Sequence, residues 1–318
     1  MNFSFIRKLF LLAVGMVAVF VLPAYSQSKK PIAPPQFRAI TITTKPDAII
    51  WLDGIRFGKS DKTGKLTVKT VPPGAHAIRV RADGFKEKTQ PLTLAQKGEI
   101  NVDLVKTSDE AELAYQEAER LTGVDRERSA AAYRKAIKAR PAYAEAYLGL
   151  ARMLLDSGDF DEAQKAIVSA RKLRPGYAEA SAVEGRIQKE NGDEARAVAA
   201  FKRAIAEGKG FQPEAYAGLG LLFKEKAEGA GSAGNFDGET VNYTESAKNL
   251  RMALKQLSGA PDSIVIYQLL GLIYERQKRY ADAIALYEEF LRIFPDTAEA
   301  TAVRSFIIQL KKDMSSQN

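Results

Sequence analysis

Apolar positions along the chain follow three successive patterns. Leu9 to Leu22 is an unbroken apolar run, preceded by Arg7 and Lys8 and followed by Pro23-Ala24-Tyr25-Ser26. From Ala39 the pattern becomes alternation, in Ala39–Thr44, Ala48–Leu52, Leu66–Val68, Ala77–Arg81, Leu92–Leu94 and Ile100–Leu104. These runs are short, rich in β-branched residues and separated by Asp53-Gly54, Pro73-Gly74 and Asp83-Gly84, which predicts the strands of a small antiparallel sandwich. Ile78, Val80 and Ala82 share one face while Arg79, Arg81 and Asp83 take the other, so one side of the sheet is expected to be wet. Trp51, in the middle of a run, is expected in the sandwich core. From Thr107 the spacing becomes helical and alanine-rich, and a unit near 34 residues recurs, the length of a two-helix solenoid repeat.

The clearest copy of that unit is 144–177. There Tyr147, Leu150, Leu154, Phe160 and Ile167 supply bulk, Ala151, Ala163 and Ala170 supply smallness, and Pro175 ends the second helix. Helices whose axes approach to about 8–10 Å need both kinds of residue at such intervals. Gly158-Asp159 provides a C-terminal glycine and then an N-cap acid at the junction of the pair. Further copies are expected at 178–212, 213–257 and 264–297, and a degenerate one at 110–143, with 298–312 as a closing helix and 313–318 as a tail. The 227–242 segment, containing Gly229, Gly231 and Gly234, breaks the register and reads as a flexible loop inserted within one repeat. The organisation expected is therefore signal 1–26, Pro-rich linker 27–36, β-sandwich 37–105 and helical array 106–312, a multidomain β + α chain.

Composition removes most chemistry. Among 318 residues there is no cysteine and a single histidine, His76. Disulfide frameworks, Cys-based zinc sites and Cys/His or two-histidine relays are thereby excluded. The net charge of +8 is unevenly placed: residues 36–105 carry 12 Lys/Arg against 7 Asp/Glu, and residues 106–318 carry 31 against 32. No run of like charges marks a nucleic-acid footprint, and no nucleic-acid partner is expected. Three near-motifs are empty. G-x-x-x-G-K-S at 54–60 is one spacer short of a phosphate loop and has no helix after it, and G-x-G-x-x-G at 229–234 has no strand before it. Asp156, Asp159 and Asp161 imitate a calcium loop whose closing acid would fall on Ile167. No catalytic residue, cofactor or metal is predicted. His76 reads as a turn-flanking, surface or half-buried side chain.

The first 26 residues have the layout of a secretory signal with cleavage after Ser26. The apolar run is short for a permanent span, so no membrane span is expected after cleavage, and the protein is expected in the periplasm or outside the cell. Pro46-Asp47-Ala48-Ile49-Ile50-Trp51-Leu52-Asp53-Gly54, Gly58, Val71-Pro72-Pro73-Gly74-Ala75-His76 and Val80-Arg81-Ala82-Asp83-Gly84-Phe85 resemble the PEGA domain. Ser60 to Leu66 departs from that pattern toward the carboxypeptidase-regulatory type of sandwich. The resemblance implies an accessory module of exported bacterial proteins without chemistry of its own. The repeats resemble tetratricopeptide repeats (TPR), with Glu194 and Phe290 standing where an aromatic and an alanine are usual. That resemblance implies a superhelix whose concave wall, formed by the first helix of each pair, receives peptides or partner helices. Transferred wall positions are Leu148, Arg152 and Leu155; Ala182, Arg186 and Lys189; Ala217, Leu221 and Lys224; and Gln268, Leu272 and Arg276. Arg152, Arg186, Lys189 and Lys224 would line a basic groove for acidic segments, unless Glu145, Glu179, Glu190 and Glu225 neutralise it.

The reading is a non-catalytic protein-interaction scaffold of the cell envelope, with the sandwich as a second contact to protein, glycan or cell wall. The alternative is a carboxylate-based hydrolase, or an accessory subunit acting on envelope glycans, whose paired acids would sit about 5–9 Å apart in a cleft.

Overall fold

The computed structural model describes residues 37–315. The expected signal at 1–26, the linker at 27–36 and the end of the expected tail, 316–318, lie outside the described residues.

Seven strands come first: β1 (Arg38–Thr43), β2 (Ile49–Leu52), β3 (Ile55–Lys59), β4 (Lys65–Val71), β5 (His76–Arg81), β6 (Lys88–Leu92) and β7 (Gly98–Asn101). They form two sheets, ordered β4-β1-β7 and β3-β2-β5-β6. All pairings are antiparallel except β1 with β7, which run parallel, so Ile40 lies beside Gly98 and Thr43 beside Asn101. Between the sheets Ile40, Ile42, Ile50, Leu52, Val68, Ile78, Val80 and Leu92 are buried together. The 54–60 segment is a turn followed by strand β3. Ser60 Oγ donates to Lys45 O (2.6 Å) and accepts from the Ala48 amide (2.9 Å), so it anchors the hairpin and faces no phosphate cradle.

Eleven helices follow: α1 (Glu110–Leu121), α2 (Arg126–Ala139), α3 (Ala144–Asp156), α4 (Phe160–Leu173), α5 (Ala178–Glu190), α6 (Glu194–Glu207), α7 (Pro213–Ser232), α8 (Phe236–Leu257), α9 (Ser263–Arg276), α10 (Tyr280–Ile293) and α11 (Glu299–Ser315). Each odd helix packs on the next to form a hairpin, and successive hairpins stack into a solenoid. The second helices of the first four pairs share one start signal. Asp125, Asp159, Asp193 and Asn235 each accept from the amide three residues on, satisfying a donor that the helix itself leaves unpaired. Inside and between the pairs, glycines of the odd helices meet bulk from the even ones. Gly185 faces Phe201, Gly149 faces Tyr133 and Gly220 faces Leu250.

The expected loop at 227–242 is corrected. Residues 227–232 continue α7, 236–242 begin α8, and only Ala233-Gly234-Asn235 turn the chain. Glycine inside a helix costs about 1 kcal/mol relative to alanine, too little to break one that pairs along its length with a 22-residue partner. Gly231 also makes room for the Glu239 carboxylate, which lies 2.8 Å from where a Cβ would stand. This hairpin consequently projects beyond its neighbours and carries exposed Phe236 and Val241.

Candidate interaction site

The odd-numbered helices line the inner curve of the solenoid: α1, α3, α5 and α7 pack on one another in sequence, and the even helices make no comparable contacts among themselves. Between α7 and α9 this continuity lapses. The inner surface is therefore divided into a part between α1 and the start of α9, which faces the sandwich, and a gap between the second half of α7 and α9.

The first part bounds a chamber of about 760 Å³. One side is the outer face of the β3-β2-β5-β6 sheet, with Trp51, Ile55, Arg56, Arg79 and Arg81. The other is helical, with Tyr115, Glu119, Leu148, Arg152, Tyr177, Glu179, Glu214, Ala217 and Ile266. Two sequence expectations fail here. Trp51 is buried at 7% exposure, yet outside the sandwich core. Because Ile50 and Leu52 point between the sheets, the pleat sends Trp51 to the opposite face. There the Arg79 guanidinium lies 4.4 Å and that of Arg81 5.3 Å from its ring centre. Nor is that face wet throughout: the Arg81 side chain is 7% exposed. It stacks on Tyr115 at 4.5 Å and donates to Glu87 (2.5 Å) and Glu119 (3.3 Å). Burial alone would lower the Arg81 pKa; the phenol of Tyr115 and the carboxylates of Glu87 and Glu119 more than offset this and hold it above the ordinary value. The Gln116 side chain completes the contact, accepting from Gly84 N and donating to Phe85 O, both at 2.8 Å.

Of the predicted wall positions, Leu148, Arg152 and Ala217 line this chamber. Leu155 and Ala182 do not reach it; they are buried in the packing between repeats, because neighbouring odd helices approach there and consume the apolar positions. The basic groove is neutralised. Arg152 donates to Glu214 at 2.6 Å, and Arg186 lies 3.6 Å from the same carboxylate and 3.4 Å from Asp156. Lys189 is 2.7 Å from Glu225 and 3.2 Å from Glu190, and Lys224 is 2.6 Å from Glu228. Burial depresses the Arg152 pKa, and Glu214 raises it by more, a net rise that keeps the guanidinium charged. Glu214, from the next odd helix but one, is the acid that sequence reading missed; Glu190 and Glu225 act as anticipated, while Glu145 binds Arg174.

The gap between α7 and α9 is a more open hollow of about 510 Å³, lined by Lys224, Glu228, Gly231, Ser232, Tyr243, Leu272, Ile273 and Arg276. It brings together Lys224, Leu272 and Arg276 from the predicted wall and adds Tyr243. Leu221 is half-buried on α7, and Gln268 is exposed on α9 outside both cavities. Leu272 is 57% exposed, and Arg276 donates through Nε to Glu239 at 3.0 Å.

Among the chamber's carboxylates, Glu145 accepts from Arg174 and Glu214 from Arg152. His76 pairs with Asp53 through Nδ1 (2.6 Å) and faces Pro72 O through Nε2 (3.0 Å). Among the described residues no cluster of three His, Cys, Asp or Glu could hold a metal ion, and no helix is long and apolar enough to cross a membrane.

Residues 125–187 and 265–297 match models of the tetratricopeptide repeat. No curated protein matches the chain. Among solved structures, yeast Tom70 is 17% identical with a TM-score of 0.50, covering 65% of this chain and 41% of its own. The MamA protein is 21% identical (TM-score 0.41; 61% and 96% covered). A thermophilic TPR protein of Thermus thermophilus is 17% identical (TM-score 0.46; 62% and 99% covered). At these identities the likeness concerns the fold of the helical solenoid alone.

Proposed function

We propose that this chain is a non-catalytic, exported scaffold of the bacterial cell envelope that holds a protein partner through the inner surface of its repeats. Proteins built of these repeats generally serve as protein-interaction scaffolds, and neither matched family model belongs to an enzyme. The observation that carries the reading is the hollow between α7 and α9, where the inner wall is open and Leu272 stands exposed among Lys224, Tyr243 and Arg276. An apolar anchor rimmed by charges suits a peptide or helix that places one apolar side chain on Leu272 and acidic groups beside Arg276. The signal-like first 26 residues support export, and the PEGA resemblance of the sandwich supports an envelope setting with a second contact to protein, glycan or cell wall.

The test is recovery of partners from the exported fraction with wild type, Leu272→Asp and Arg276→Glu, with exposed Val168→Asp on α4 as a surface control. A partner retained by wild type and the control and lost from both groove variants supports the reading; retention by all four overturns it.

A further inference from the structure

We infer that the β-sandwich gates the first part of the repeat array's inner wall, latched onto it through Arg81. The wall residues Leu148, Arg152 and Ala217, where a partner of the array would be expected to dock, line the chamber that the sandwich faces. A macromolecular partner reaches them after the sandwich swings away, whereas the hollow between α7 and α9 stays accessible throughout.

Three observations carry this. First, the contact is thin: no strand packs broadly on any helix, and a chamber of about 760 Å³ separates the two surfaces. Small polar contacts between domains of one chain favour relative motion. Second, the contact is made at two separate ends, polar at α1 and small at the other. Arg81 bridges from β5 to Glu119 of α1 and stacks on Tyr115, Gln116 clasps the Gly84–Phe85 backbone, and Thr107 N donates to Gly84 O at 3.0 Å. At the far end Ile55 touches the C-terminal apolar cluster, and Thr70 lies close against Gly259 in the turn between α8 and α9. Third, charge draws the surfaces together. The sandwich presents Arg56, Arg79 and Arg81 with Asp53, while the helical side presents Glu119, Glu179, Glu207 and Asp262 beside the internally paired Glu145–Arg174 and Glu214–Arg152. Attraction across partly solvated space weakens as salt shortens the Debye length, so the gate opens with ionic strength.

The absence of cysteine permits a direct test on the full chain. Ala217→Cys places one thiol in the chamber, and Gln268→Cys places one on the exposed wall outside it. Each is reacted with a small maleimide and with a polymer-linked maleimide too large for the chamber. The small reagent is expected to label both; the bulky one is expected to label Ala217→Cys at least about tenfold more slowly, a charge-assisted contact being worth that much in a closed-to-open ratio. Adding Arg81→Glu, or molar sodium chloride, should remove most of the difference, and the pair Arg81→Glu with Glu119→Arg should restore it. Should Arg81→Glu fail to fold, Glu119→Gln reads the same contact, since its amide oxygen still accepts from Tyr133 as the carboxylate does. Equal bulky labelling at both positions in the unaltered background, or a slow rate that neither latch variant nor salt changes, overturns the gate. Either result leaves the α7–α9 hollow and its partner test standing, because the labelling involves no partner.

Discussion

Gly185 and Gly229 both lie inside helices, and opposite consequences follow from replacing them with alanine. A Cβ at Gly185 would come 2.5 Å from the Phe201 ring, whereas one at Gly229 meets nothing within 4 Å. Overpacking a buried contact costs about 1–3 kcal/mol, so Gly185→Ala should lower the urea midpoint. Removing the backbone freedom of an exposed helical glycine gains about 0.5–1 kcal/mol, so Gly229→Ala should raise it. Equal midpoints would mean that the Gly185–Phe201 contact relaxes freely. At this scale the sequence told some positions and hid others. Trp51 was legible in principle, since residues flanking it on both sides are core apolar and alternation leaves it the other face. Glu214 was not legible: it meets Arg152 across 62 residues, through the stacking of α3, α5 and α7, which no local spacing encodes.

Among elements, the second helices of the pairs show how a short signal is reused. Asp125, Asp159, Asp193 and Asn235 cap α2, α4, α6 and α8, while Arg279 before α10 makes no side-chain cap. Asp193→Ala should cost about 1 kcal/mol, and the double change with Asp159→Ala about twice that, because the two caps lie on different helices without shared partners. A double variant no weaker than either single would show that the array unfolds elsewhere first. The repeats could be placed from sequence because bulk and smallness recur together within each copy. The 227–242 segment could not, because glycine-rich composition reads as a loop when it stands alone. What settles it is the partner: α7 and α8 pack along their full lengths, and that tertiary contact overrides a weak local preference.

For the molecule as a whole, buried phenols set a limit at high pH. Tyr115, Tyr133, Tyr143, Tyr177, Tyr267 and Tyr287 all have pKa values pushed up from the ordinary 10.0, in each case by burial first and a neighbouring carboxylate second. The sign follows directly. The unfolded chain releases these protons once pH passes about 10 while the folded chain retains them, so their contribution is intact below that value and falls away above it. The denaturation midpoint should therefore drop above about pH 10, with loss of helical circular dichroism coinciding with the rise of tyrosinate absorbance. Ionisation of all twelve of the chain's tyrosines while the helices persist would contradict the burial of these rings. The shared inner position of α1, α3, α5 and α7, which brings Tyr115 and Tyr177 to one chamber, was implied by the repeat; that the sandwich would face them was not, since nothing in either domain's own pattern states how the two meet.

Trp51 has one more consequence. It is the chain's lone indole, clasped by guanidinium groups at the boundary between the two domains, so the protein's entire tryptophan emission originates at that seam. The molecule thus carries an optical gauge at its most informative point: colour and iodide quenching of the native light report whether water, solute or a guest has reached the seam, with no dye attached.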